Sequence, residues 1–368
     1  MKSKLNRRMR RRKRPSICGL GLVAFDHVTD STGKRLHSQA GGTCGNVLTI
    51  LGSLGWHSSP IARLRQDPVG RLVRSDLQRF GVDTSWIGLK PEVPTPVIIQ
   101  KLLRDSAGIP FHCFSFYCPG CGGRLPRFQP IPINALREIV EHAKTFDVVF
   151  IDRISPSAFI LAEEAFNSGA LVFFEPSTSV TKRELERILQ FTHVLKYSHE
   201  RMHEVISDDQ DTLCLELQTL GRGGLRFRHR SRKTGMLEAW NHMNSYPLES
   251  LADSSGAGDW LSAGLIHLLS GDGRAQAKLL RLDDVTETLA RAQRLAAWSC
   301  QFIGARGAMY YAPLDEIRRV LFDMKATMPV MRDSPSNTVD NALTCDICAL
   351  TKQSQRSPFR MDVLPRLH

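Results

Sequence analysis

Apolar positions along this chain alternate between short continuous runs and segments of helical period. Between positions 134 and 200 they predict helix 134–145, a strand from Asp147 to Asp152, helix 156–168 closed by Gly169, a strand from Ala170 to Glu175, helix 181–191 and a strand from His193 to Ser198. Repeated β-α units of this length call for a mostly parallel sheet covered by helices on both faces. Upstream, Ile17 to Phe25 predicts a buried first strand with Asp26 at its C-terminal end, the edge where open α/β sheets bind ligands. The run Gly41-Gly42-Thr43-Cys44-Gly45-Asn46 opens a helix from Val47 to Leu54. Its glycines permit close backbone approach to a ligand, and Asn46 can both donate and accept. A short strand around Pro60 to Ala62 precedes a helix from Asp67 to Phe80, with Asp67 as cap, Pro68 at the first position and Gly81 past the end. There Val69, Leu72, Val73, Leu77 and Phe80 recur at helical spacing as a core face.

Pro96 to Leu103 and Pro110 to Phe116 read as two strands around Asp105-Ser106-Ala107-Gly108, a hairpin placed to act as a lid, about 94–126, over a small-molecule site. The hairpin runs into Cys118-Pro119-Gly120-Cys121, and a second CxxC follows at Cys345-Asp346-Ile347-Cys348. Four such thiolates suit a tetrahedral zinc, and four reduced thiols are the alternative. Leu213 to Leu220 and Leu225 to Arg228 are strands joined by Gly221-Arg222-Gly223-Gly224, either a plain turn or a backbone concavity for a nucleotide. A long amphipathic helix from Asp284 to Gly304 and a shorter one from Pro313 to Phe322 end the periodic part. Arg124 and Arg153 are cations suited either to an acidic substrate or to the surface.

The chemistry concentrates at Asp253-Ser254-Ser255-Gly256-Ala257-Gly258-Asp259, which leads into the apolar stretch Trp260 to Ile266. Small residues at a helix entrance let backbone N–H groups converge where the dipole favours an anion such as a phosphate. A carboxylate beside such an anion points to proton transfer or to metal binding.

Composition changes this picture little. The formal net charge is +12, but residues 1–14 hold nine Lys and Arg and no acid, so the remainder carries only +3. The charge therefore belongs to a solvated basic tail, residues 1–15; nucleic acid or an anionic membrane would be a partner of that tail alone. No stretch approaches transmembrane length, and Asp26 and His27 close the first apolar run where a leader would have small residues, so a cytoplasmic enzyme is expected. The nine cysteines then read as thiols or metal ligands rather than a disulfide framework. Beyond Met324, residues 324–368 form a polar tail.

Five motifs in order resemble those of the PfkB, ribokinase-like carbohydrate kinases, across roughly residues 16–323. Asp253 to Asp259, with Ala263-Gly264 following, is similar to the family's DTxGAGD signature, with Ser254 in place of Thr. Gly41-Gly42 with Asn46 is similar to its N-terminal signature, and Arg65-Gln66-Asp67-Pro68-Val69-Gly70 to its G-x-D-x-x-G segment without the leading Gly. Thr219-Leu220-Gly221-Arg222-Gly223-Gly224 resembles the TLGxxG nucleotide turn, and Gly304-Ala305-Arg306-Gly307-Ala308 the closing GA-rich loop. The resemblance implies a three-layer α/β fold with a small β-lid and ATP-dependent phosphorylation of a sugar or nucleoside hydroxyl. It implies Asp259 as general base; Gly256, Ala257 and Gly258 as anion hole; Asp26, Gly41, Gly42 and Asn46 on the sugar; and Thr219, Gly221, Gly224 and Ser254 on the nucleotide. Magnesium is expected with ATP, a monovalent cation near the signature loop is a family habit, and pairing of lids predicts a homodimer.

Two departures stand out. The family's N-x-x-E segment is Lys196-Tyr197-Ser198-His199-Glu200-Arg201 here, leaving Glu200 as the candidate magnesium residue, and its Asp-Pro has become Glu175-Pro176. The altered N-x-x-E segment, the basic tail and the two CxxC motifs motivate a second reading, a nucleotide- or sugar-binding regulatory protein on a kinase fold.

Overall fold

The computed structural model describes residues 14–119, 121–202, 211–231, 233–270, 285–325 and 328–329. Its large sheet joins nine strands: β1 (Ser16–Leu20), β4 (His57–Arg65), β5 (Ile87–Lys90), β8 (Val148–Ile151), β9 (Leu171–Phe174), β10 (Val194–Ser198), β11 (Leu215–Thr219), β12 (Leu225–His229) and β13 (Asn241–Met243). Their order is β13-β12-β11-β10-β9-β8-β1-β4-β5. Strands β5 through β11 pair in parallel, while β12 and β13 are antiparallel at one edge. A smaller sheet, β3-β2-β6-β7, holds β2 (Ala24–Thr29), β3 (Arg35–Gly41), β6 (Val97–Arg104) and β7 (Pro110–Ser115).

Side chains alternate across a strand, so each parallel strand feeds two cores. Ile17, Val148, Phe150, Leu171, Phe173 and Val194 face one cluster, shared with α1 (Thr43–Ser53), α6 (Ala257–Ser270), α7 (Thr286–Ser299), α8 (Gly307–Tyr311) and α9 (Leu314–Phe322). Cys18, Leu20, Val149, Ile151, Val172, Phe174 and Leu195 face the other, shared with α3 (Ile133–Ala143), α4 (Pro156–Asn167) and α5 (Lys182–Leu189). The result is the expected three-layer α/β architecture. A third cluster joins the small sheet to α2 (Pro68–Arg79).

Three expectations need correction. The first strand stops at Leu20, and Asp26 lies inside β2 of the small sheet, paired with Gln39 of β3, rather than at the end of β1. The apolar run Ile17 to Phe25 concealed the break because both halves are buried. The lid hairpin is present as β6 and β7, but β2 and β3 complete its sheet. On α2, Val69, Val73 and Leu77 are buried as expected, whereas Leu72 is 50% exposed. Asp67 caps that helix, its side chain accepting from the Gly70 amide at 2.8 Å.

Candidate active site

Helix α6 begins at Ala257, so the amides of Ala257 and Gly258 fall in its first turn with Gly256 immediately before them. Gly256 has φ of 73°, a conformation natural to glycine. Asp253 organises this entrance from below. Fully buried, its carboxylate accepts from the Ser255 amide at 2.9 Å, the Ser255 hydroxyl at 2.7 Å and the Gly304 amide at 3.0 Å. Gln100 of the lid donates to Asp253 at 2.7 Å and to Ser255 at 2.9 Å, and His112 of β7 lies 3.4 Å from the Ser254 hydroxyl. The lid and the Gly304 loop thus both close on the signature turn.

Asp259 is buried in the first turn of α6 and accepts from the Asn46 side-chain amide at 2.7 Å. Burial, then the neighbouring Glu175, raise its carboxyl to about 7, while the Asn46 bond, Lys196 and Arg201 act in the opposite direction. A carboxylate held there exchanges a proton near neutrality, which suits a general base.

Asn46 lies one turn into α1, whose entrance at Gly42 has φ of 82°. Asp26 packs against Gly41, where a side chain would collide with its carboxylate. Burial lifts the Asp26 carboxyl to about 6, against the pull of Arg306 and the Gly42 amide. Its Oδ1 and the Gln39 amide nitrogen are buried without hydrogen-bond partners.

On the opposite flank Thr219 ends β11, and Gly221 and Gly224 bracket a short 3-10 turn. Gly224 has a packing reason of its own: a Cβ would meet Asn244 at 2.6 Å. Strand β10 lies between this turn and β9, with Ser198 in register with Thr219.

The sequence shows Lys196 and Glu175 only as departures from the family pattern and assigns neither a partner. Lys196 has the strand parity of Val194 and therefore points toward α6, where it pairs with Glu175; its Nζ lies 3.4 Å from the position of a Cβ on Gly258. The second Glu175 oxygen accepts from Ser262 at 2.5 Å. A lysine in the middle of an otherwise apolar strand was the available signal. Because both partners are buried, replacing Lys196 with Met strands a carboxylate and is expected to destabilise the protein by about 3–5 kcal/mol. Adding Glu175→Gln should recover much of that loss in a denaturant titration.

The other candidates lie apart or outside. Glu200 is exposed in the turn after β10. Cys118 is buried in the lid and Cys121 exposed, while Cys345 and Cys348 fall outside the described residues. Among the described residues no three His, Cys, Asp or Glu side chains gather as a metal cluster. Two thiols are half of a tetrahedral set, and residues 203–210, which follow Glu200, lie outside the described residues. Arg124 is exposed, and the Arg153 guanidinium sits 5.6 Å from the Phe128 ring centroid.

No family model matches the chain. The fructokinase of Salmonella typhimurium is 25% identical over 313 residues, 79% of this chain and 95% of that protein. Among solved structures, fructokinase with bound ATP from Xylella fastidiosa aligns with a TM-score of 0.62 at 18% identity, over 83% of this chain and 98% of the other. Arabidopsis thaliana ribokinase complexed with ribose and ATP gives 0.60 at 16% identity, over 84% and 99%. The chain is similar in sequence to the Salmonella typhimurium fructokinase and shares its fold with the ribokinase-like kinases. Asp26 lies in the small sheet, Asn46 on α1 and Thr219 at the end of β11 in the large sheet. No helix among the described residues is long and apolar enough to cross a membrane.

Proposed function

We propose that the chain is an ATP-dependent kinase that phosphorylates a hydroxyl of a sugar or a nucleoside, through a catalytic unit spanning residues 16–323. The observation that carries this is the placement of Asp259: a buried carboxylate raised to about 7, at the N-terminus of α6, bonded to the side chain expected to hold the sugar. Asp26, Asn46 and the Gly41-Gly42 backbone orient the acceptor. Asp259 takes the proton as the hydroxyl oxygen bonds to the γ-phosphorus and the bond to the ADP oxygen breaks. The amides of Gly256, Ala257 and Gly258 stabilise charge on the transferring group. Thr219, Gly221 and Gly224 line the nucleotide, with the Ser254 hydroxyl at its phosphate end. Magnesium bound with ATP would neutralise charge on the phosphates, with Glu200 as the residue that would help to hold it.

The fructokinase relative supports a sugar acceptor, and the structural likeness to aminoimidazole riboside kinase of Salmonella enterica, with a TM-score of 0.55, supports a riboside. Exposed Phe111, Phe114, Phe116 and Tyr117 on and beside edge strand β7 support pairing of lids in a homodimer. The exposed Glu200 favours the second reading, a regulatory protein that binds nucleotide without turnover. An ADP-release screen across sugars, sugar phosphates and nucleosides separates the two. Acceptor-dependent ADP formation is the expected result; nucleotide binding with no turnover on any acceptor would favour the regulatory reading.

A further inference from the structure

Arg306, in the loop before α8, is completely buried. Its Nη2 donates to Asp76 Oδ2 of α2 at 2.6 Å and to the Ala40 carbonyl, and its Nε donates to Asn46 Oδ1 at 3.1 Å. Asn46 Nδ2 then donates to Asp259 Oδ2 at 2.7 Å. Side chains from α2, the Gly304 loop, α1 and α6 thus form one continuous chain of hydrogen bonds ending on the catalytic carboxylate.

We propose that Arg306 is a positioning residue for the general base: by donating to Asn46 Oδ1 it fixes the amide with its NH2 turned toward Asp259. The proposal rests on reading Asp259 as the base. A side-chain amide has two nearly isosteric orientations, one presenting a donor and the other an acceptor. A guanidinium only donates and a carboxylate only accepts, so one orientation of Asn46 satisfies both neighbours and the flipped one satisfies neither. Arg306 can impose this choice because it is itself immobilised. Asp76 accepts from the Ala40 amide at 2.9 Å and from the Tyr310 hydroxyl at 2.9 and 2.8 Å, and the guanidinium carbon lies 5.6 Å from the Phe80 ring centroid. Burial of the Arg306 charge is compensated by Asp76.

The consequence is a shift in the protonation of Asp259. Glu175, Lys196, Arg201 and the Cys44 thiol face that carboxylate, and Asp76, Asp26, His37 and Tyr310 face Arg306. Among the described residues the Asn46 side chain bonds to both groups. An amide free to turn its oxygen toward Asp259 withdraws a bond that favours the ionised form, and the base then titrates at higher pH.

The test is the pH dependence of kcat on the acceptor found by screening, for wild type, Arg306→Gln, Asp76→Asn, Asn46→Ala and Asn46→Ala combined with Arg306→Gln, with Asp259→Asn as the blank. Arg306→Gln and Asn46→Ala are each expected to move the acidic limb up by about one pH unit, and the combination no further than either alone. This non-additivity separates the route through Asn46 from the influence of Arg306 on Asp26. Asp76→Asn, which retains Arg306 but releases it, is expected to move the limb up by about half a unit, whereas loss of a negative charge alone would move it down. It decides the question if Arg306→Gln does not fold. A lowered melting temperature with an unmoved limb, a downward shift in Asp76→Asn, or full addition in the double variant would overturn the proposal. Wild-type turnover by Asp259→Asn would instead overturn the general-base reading itself.

Discussion

Gly256→Val is expected to lower kcat roughly 100- to 1,000-fold, the loss associated with one misplaced donor in an anion hole. At φ of 73° a β-branched residue is strained, at roughly 1–2 kcal/mol for the backbone alone. The added Cβ would also lie 2.6 Å from Ala305 Cα and 2.7 Å from its Cβ, and that neighbour cannot retreat freely. The Ala305 carbonyl accepts from the Trp260 indole at 2.9 Å, and Trp260 is fully buried against Trp298. Relief must come from the signature turn, which carries the Gly256 amide away from the phosphoryl position. Steady-state kinetics with a thermal melt check this: both activity and melting temperature should fall.

Much of the large sheet was legible because its strands, buried on both faces, are short apolar runs separated by helices of clear period. Capping chemistry placed α2 to within a residue at its start, through Asp67 and Pro68. The small sheet was legible only in half. Strand β6 and strand β7 are joined by a turn of Asp105 to Gly108, whereas the separation of β1 from β2 occurs inside one apolar run and leaves no compositional mark. Among candidate site residues, those on backbone-demanding motifs were readable: Gly42 and Gly256 have positive φ, and Asn46 and Asp259 follow them at fixed spacing. Lys196, Glu175, Asp76 and Arg306 were not read as a site because their meaning depends on partners distant in sequence. Arg306 and Asn46 are separated by 260 positions, and Arg306 and Asp76 by 230. Only the fold shows that these charges are buried and paired.

Asp259→Asn is expected to lower kcat roughly 100- to 10,000-fold while leaving ATP affinity nearly unchanged, since the substitution removes the proton acceptor without altering shape. It should also stabilise the protein. Burial holds the Asp259 carboxyl at about 7, above the ordinary value of 3.8. With the folded-state value raised, the folded chain binds the proton more tightly than the unfolded chain, so this group's contribution is fully present below pH 3.8. It is lost as pH rises to about 7. Above that window the penalty is on the order of 4 kcal/mol. Asparagine carries no such penalty, so the melting temperature of the variant should exceed that of wild type at pH 8, and the difference should shrink as the pH falls toward 4. Higher stability with lost turnover is the behaviour of a residue whose burial serves catalysis.

The most direct measurement is single-turnover phosphoryl transfer at pH 8, with wild type and Asp259→Asn each saturated with ATP and acceptor. A fast product burst from wild type and a chemical step at least 100-fold slower in the variant, with equal nucleotide binding, is the expected result. Equal single-turnover rates in the two proteins would contradict the assignment of Asp259 as the proton acceptor.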